Sequence, residues 1–251
     1  MAIQKLLAQY ARVPSETRFG RNMRDGYARG HGIGFGGLQA LIRAEPDYRE
    51  AVRLAESRTV CAETRLMNIY LLIRFYIPKL SPGHIIEFGC YQGGSAIFMA
   101  SLAKRHLPYT RVWGLDTFEG MPETDRKVDW HERGNFKDTD LARLSAYTRA
   151  AGLTNLSFVK GLFERTTDVV LAEARNLVLA HIDCDIQSAL LYAWSRVKPH
   201  MVPGGYVAFD DATESSCLGA TEAVERGIIQ KDGLCSEQIY PHYVFRYSPL
   251  P

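Results

Sequence analysis

Three short apolar runs, each closing on an acidic residue, constrain this chain more than anything else in it. They are His84-Ile85-Ile86-Glu87, Val112-Trp113-Gly114-Leu115-Asp116 and Tyr206-Val207-Ala208-Phe209-Asp210-Asp211. A carboxylate at the tip of a buried strand is costly unless it meets a ligand, a cation or hydrogen-bond donors. Open α/β sheets bind their ligands at strand tips along one edge. The three runs therefore read as strands whose acidic ends share a binding edge.

The surrounding pattern supports such a sheet. Residues 63–76 carry Leu66, Met67, Tyr70, Leu71, Ile73 and Phe75, a broad helical face that Pro78 and Pro82 end. Strands are expected at 84–88, 111–115, 156–159, 177–182 and 205–209, and helices at 94–104, 141–151, 167–174, 186–197 and 218–229. Residues 119–140 are polar and contain Pro122 and Gly134, so they read as a loop on the binding edge. The segments 237–240 and 243–247, split by Pro241-His242, read as a closing hairpin. Strands alternating with helices imply a parallel sheet with right-handed crossovers and helices on both faces. An antiparallel hairpin after five such units is the Rossmann-like pattern of class I methyltransferases.

Residues 1–58 differ from this pattern. They hold Arg18, Arg21, Arg24 and Arg29 and the run Gly30-His31-Gly32-Ile33-Gly34-Phe35-Gly36-Gly37. So many glycines suit neither regular helix nor strand. With no strand before it, the run is no nucleotide fingerprint. It is expected to form an extension or lid on the acceptor side of a domain spanning 59–251.

Bulk properties exclude several classes. A net charge of +2 over 251 residues is too small to argue for nucleic acid or a membrane surface. No apolar run approaches the ~18 residues of a membrane span, and 1–10 do not read as a signal peptide. Five scattered cysteines without a CxxC pair suggest reduced thiols in a cytoplasmic protein and argue against structural zinc. A homo-oligomer is expected.

Chemistry concentrates at two places. In Glu87-x-Gly89-x-x-x-Gly93-Gly94 a strand turns into a helix, and Asp116 ends the next strand. Glycines let a ligand approach the backbone, and a helix N-terminus offers free N–H groups to an anion. A second-strand acid can accept ribose hydroxyls. The spacing lacks the GxGxxG of dinucleotide sites and the P-loop lysine. S-adenosylmethionine fits better, with Glu87, Gly89, Tyr91, Gly93, Ser95, Asp116 and Thr117 as candidate contacts. The second place is acidic. Asp183 and Asp185 follow one strand, and Asp210 and Asp211 end the next, about 4.8 Å away in a parallel sheet. Carboxylates so crowded repel unless a cation joins them, and oxygen ligands suit Mg²⁺, Mn²⁺ or Ca²⁺. Asp183, Asp210 and Asp211 are the candidate ligands. Asp185 reads as the N-cap of the following helix. His131 and His181 are alternative bases, one in a loop and the other within an apolar strand.

The runs Ile86-Glu87-Phe88-Gly89-Cys90-Tyr91-Gln92-Gly93-Gly94-Ser95, Leu115-Asp116-Thr117-Phe118-Glu119-Gly120-Met121-Pro122 and Pro203-Gly204-Gly205-Tyr206-Val207-Ala208-Phe209-Asp210-Asp211 resemble motifs of the macrocin O-methyltransferase family. Glu63-Thr64-Arg65-Leu66 resembles the segment upstream of them. The resemblance implies an Mg²⁺-dependent enzyme that moves a methyl group from S-adenosylmethionine to a sugar hydroxyl of a natural product. The acceptor would be a glycoside or an activated sugar. By the same resemblance Asp183 is metal ligand and general base, and Asp210 and Asp211 complete the metal site. After Asp185 the family usually has Leu-Tyr-Glu-Ser, where this chain has Ile186-Gln187-Ser188, which leaves the acceptor open. The rivals are a phenol or catechol O-methyltransferase and a catalytically inactive nucleoside-binding protein.

Overall fold

A computed structural model describes residues 37–247, together with a two-residue antiparallel pairing of Thr17–Arg18 with Arg21–Asn22. Gly30 to Gly36, Arg24 and Arg29 lie outside the described residues, and so does the expected lid built on them.

The strands are β1 (His84–Phe88), β2 (Val112–Asp116), β3 (Leu156–Lys160), β4 (Leu177–Ile182), β5 (Met201–Phe209), β6 (Ser236–Gln238) and β7 (Tyr243–Arg246). They form one seven-stranded sheet in the order β3-β2-β1-β4-β5-β7-β6. The first five are parallel, and β7 runs antiparallel between β5 and β6. This is the expected sheet with its antiparallel closing hairpin.

The helices are α1 (Leu38–Ala44), α2 (Pro46–Ala55), α3 (Glu63–Leu71), α4 (Gly94–His106), α5 (Leu141–Ala150), α6 (Phe163–Ala174), α7 (Gln187–Val197) and α8 (Leu218–Glu222). α3 continues as a π-helical stretch over Leu72–Tyr76, and α8 as another over Ala223–Lys231. Side chains alternate across each strand and so feed two separate cores. Ile85, Leu179, Tyr206 and Val244 meet α1 to α5 on one face. Ile86, Phe88, Ile182, Phe209 and Phe245 meet α6 to α8 and its π-helical continuation on the other.

The expected extension, residues 1–58, ends in two helices that share the first core. α2 starts with proline at its first turn and carries Tyr48, Ala51, Leu54 and Ala55 on one buried stripe. The ring of Tyr48 meets Tyr70 and Phe98 edge-on. Asp47 adds a polar tie, accepting from Tyr70 Oη at 3.3 Å and pairing with His106 Nε2 at 2.6 Å. Each large apolar side chain buried this way contributes ~1.5–3 kcal/mol. Leu54→Ala should therefore destabilise the protein by about 2–5 kcal/mol in urea unfolding. Val169→Ala, at a side chain 72% exposed on α6, should stay within roughly 0.5 kcal/mol. Equal effects would mean that α2 does not belong to the folding unit.

Candidate active site

The tips of β1, β2, β4 and β5 open into one cavity of about 800 Å³. Its walls include Gly89, Tyr91 and Ser95 from the first turn, Asp116 and Thr117 from the second strand, and Asp183, Asp210 and Asp211. Two further segments line it that the sequence reading did not single out, Arg58 to Cys61 ahead of α3 and Leu162 to Arg165 after β3. The second could have been found, because β3 ends on the same edge as its neighbours.

The glycine turn is tightly built. Gly89 has φ +84, and a Cβ there would sit 1.8 Å from the Asp183 carbonyl oxygen. Only glycine lets the ends of β1 and β4 approach so closely. Tyr91 also has positive φ, and its N–H donates to Asp116 Oδ2 at 2.8 Å. Phe118 N–H donates to Asp116 Oδ1 at 2.8 Å. Burial pushes the Asp116 carboxyl up, and these two N–H groups act in the opposite direction. Thr117 Oγ1 also lies 3.4 Å from Oδ1, so it is Oδ2 that keeps capacity to accept a further hydrogen bond. Gly93, left-handed at φ +79, is the N-cap of α4, and no side chain caps that helix. Its first N–H groups remain open to a carboxylate. Gly93 itself packs under Phe158 and Leu144 rather than lining the cavity. Tyr91 Oη donates to Asp138 Oδ2 at 2.6 Å, which ties the polar 119–140 segment to the turn.

Behind the acidic wall of the cavity, and reaching it at Arg65 and Asp210, lies a polar network that is buried apart from Glu214. Glu87 is not on the cavity wall. Its Oε1 pairs with His181 Nδ1 at 2.9 Å, and its Oε2 has no partner among the described residues. His181 Nε2 faces Asp210 Oδ1 at 3.3 Å, and His242 Nδ1 reaches the same oxygen at 3.1 Å. Asn68 Nδ2 meets His242 Nε2 at 3.0 Å. Arg65 donates to Asp210 Oδ2 at 2.6 Å and also to Glu214. Burial opposes charge on His181, but its bonds to Asp210 and Glu87 outweigh that and raise it well above the usual histidine range. Burial likewise opposes charge on Asp210, yet Arg65, His181 and His242 hold it well below the carboxylate range. His181 is thus a satisfied buried residue. Arg65 and His242 were not expected as partners of Asp210, being distant from it in sequence.

Asp183 stands in contrast. Burial, then Asp210 and Asp211, push its carboxyl well above the usual range. Asp211 is pushed the same way by burial, Asp185 and Asp210, while its Oδ2 accepts from the Asp185 N–H at 2.7 Å. The three aspartates offer oxygens within 4.8 Å of one another. Crowded carboxyls that resist ionising together fit a hard divalent cation, which would restore their charge.

Asp185 is not the helix cap it was expected to be. Its φ of +61 turns the side chain away from α7, whose N-cap is Ile186 with no side-chain cap. Asp129 Oδ1 instead accepts from Gln187 N at 3.0 Å. Asp185 Oδ1 faces His131 Nε2 at 3.5 Å and Cys217 Sγ at 3.5 Å. His131 is therefore drawn in beside the acidic group.

The profile of the macrocin-O-methyltransferase (TylF) family matches residues 49–230. A Streptomyces olivaceus 8-demethyl-8-(2,3-dimethoxy-alpha-L-rhamnosyl)-tetracenomycin-C 4'-O-methyltransferase is 29% identical over 174 residues, 65% of this chain and 66% of that protein, a little under two-thirds of its length. A crystal structure of a calicheamicin methyltransferase superposes with a TM-score of 0.67 at 22% identity, over 94% of this chain and all of that one. A methyltransferase of the mycinamycin pathway, solved with Mg, SAH and mycinamycin VI, gives a TM-score of 0.51 at 16% identity, over 83% of this chain and 57% of that one. The profile runs from α2 into the π-helical stretch after α8, through every strand tip that borders the cavity, and the chain belongs to the macrocin O-methyltransferase family.

Proposed function

We propose that this chain is a metal-dependent O-methyltransferase that transfers the methyl group of S-adenosylmethionine to a sugar hydroxyl of a glycoside or nucleotide-sugar natural product. The observation that carries the reading is Asp183, left unneutralised beside Asp210 and Asp211 on the wall of a cavity that also holds Asp116. The names of the relatives support the acceptor class. The magnesium complex of the mycinamycin-pathway protein supports the metal.

Asp116 would accept the ribose hydroxyls, while the uncapped start of α4 beside Ser95 would receive the amino-acid carboxylate. S-adenosylmethionine supplies the methyl group on a positively charged sulfur. Asp183, Asp210 and Asp211 would hold Mg²⁺, with Mn²⁺ or Ca²⁺ as substitutes, and the ion would favour the ionised form of the acceptor hydroxyl. Asp183 orients that hydroxyl and takes its proton as the oxygen–methyl bond forms and the sulfur–methyl bond breaks. Arg65 and the two histidines keep Asp210 anionic and fixed in place. Cavity walls hold the reacting oxygen, methyl and sulfur in line, which supplies much of the acceleration. Residues 1–58 would form the acceptor side, and Arg58 at their end already lines the cavity.

Chelation by EDTA should stop turnover of a rhamnosyl glycoside, and added Mg²⁺ should restore it. Asp183→Asn should lower kcat by about 10²–10⁴-fold, as for loss of a positioned acid–base group, with S-adenosylmethionine affinity retained. Full activity in EDTA would overturn the metal assignment. Asp116→Ala should weaken S-adenosylmethionine binding by ~1–3 kcal/mol in calorimetric titration. Unchanged affinity would remove Asp116 from the cofactor site.

A further inference from the structure

We infer that His131, Asp185 and Cys217 form a binding site for one Zn²⁺ ion, separate from the three-aspartate group. The residues come from three different places: the 119–140 segment, the tip of β4 and the short turn Ser215–Cys217 before α8. His131 Nε2 lies 3.5 Å from Asp185 Oδ1 and 3.7 Å from Cys217 Sγ, and that sulfur lies 3.5 Å from the same Oδ1. These atoms are the corners of a nearly equilateral triangle. Tetrahedral zinc, at about 2.3 Å from sulfur and 2.0–2.1 Å from nitrogen or oxygen, spaces its ligands roughly 3.3–3.6 Å apart. The observed edges match within a few tenths of an ångström.

A Cys-His-Asp relay for nucleophilic catalysis is the competing reading, and the geometry disfavours it. In a relay the imidazole spends one nitrogen on the nucleophile and the other on the acid. Here Nε2 faces both partners, so nitrogen, oxygen and sulfur converge on one point. Cys217 is 3% exposed and does not border the cavity, so its sulfur has no route to a substrate. A thiol, an imidazole and a carboxylate select zinc over magnesium, whereas three carboxylates select the reverse. The buried group His181, Asp210 and His242 also clusters closely. There the Arg65 guanidinium, 2.6 Å from Asp210, already supplies the positive charge.

A bound ion would pin the 119–140 segment to β4 and to the start of α8. That segment brings Met121, Pro122, Arg133 and Phe136 to the cavity, so the ion would fix one wall of the cavity.

The test uses the full-length, tag-free protein, stripped by chelation and then saturated with Mg²⁺ to fill the oxygen site. Titration with Zn²⁺ against a chromophoric chelator should show one equivalent retained. Co²⁺ in its place should give a sulfur-to-metal charge-transfer absorption. Cys217→Ser should abolish that absorption and weaken zinc binding by more than about 100-fold, beyond the 10–100-fold cost of losing a supporting hydrogen bond. His131→Gln, a change on the loop that spares the interior, should weaken zinc binding comparably, so that misfolding of one variant does not decide the matter. Cys61→Ser is the control, because Cys61 Sγ lies 3.8 Å from Asp210 Oδ1, and it should leave the absorption intact. No zinc retained in the presence of Mg²⁺, or an absorption that disappears with Cys61 instead of Cys217, would overturn the assignment. Methyl transfer is not measured, so the outcome is independent of the proposed activity.

Discussion

The charge on Asp210 is the constraint on which the rest of this molecule depends. A carboxylate only 2% exposed must be met by donors from its own chain, or it will not stay ionised. One guanidinium from α3 and two imidazoles, one on β4 and one just before β7, meet it. α3 is thereby fixed across the strand tips, and the final strand is drawn in beside β5. Glu87 and Asn68 extend the same network to β1 and further along α3. The polar ties and the two apolar cores fix the same arrangement, which is the consistency expected of a sequence that specifies one structure.

Two aspartates one strand apart are treated in opposite ways. Asp210 is neutralised from behind by the protein, while Asp183 is surrounded by acids and left to find its counter-charge in the cavity. The sheet edge thus has a settled side and an unsettled side. On the unsettled side burial and the neighbouring acids keep Asp183 from ionising, so it holds its proton until a counter-charge in the cavity replaces it. Folding demands the settled side, since removing one partner of a buried pair costs far more than the pair contributes.

Much of this was legible in the sequence, for physical reasons that differ by element. β1 and β4 were read with their observed bounds, because mostly apolar runs of five and six residues, bounded by glycine or polar residues, are too short for a helix. β5 starts at Met201, four residues before the expected 205, because Pro203 sits where the register to β4 is interrupted and Gly204 N–H donates instead to the Tyr247 carbonyl on the other side, at 2.9 Å. α2 was overlooked, although its proline at the first turn and its buried stripe were present, because the glycine run upstream set the reading of the whole stretch. The cap of α7 could not be read at all. Asp129 is 58 positions from Gln187, and nothing local distinguishes it from the acids around it. For the same reason Arg65 and His242 were invisible as partners of Asp210. Backbone handedness at Asp185 decided where that side chain points, and no residue pattern announces it.

The position of β7 has a consequence for how such a chain comes to life on the ribosome. β7 lies between β5 and β6 although it follows both in the chain, and His242 just before it completes the cradle of Asp210. The first five strands can emerge and pair in order, but the edge of β5 stays open and its terminal acid lacks one donor until Arg246 is out of the exit tunnel. Throughout that interval the nascent protein has a sheet without a finished site. Completion of the Asp210 cradle is thus coupled to the arrival of this late strand, in whatever order the earlier strands pair.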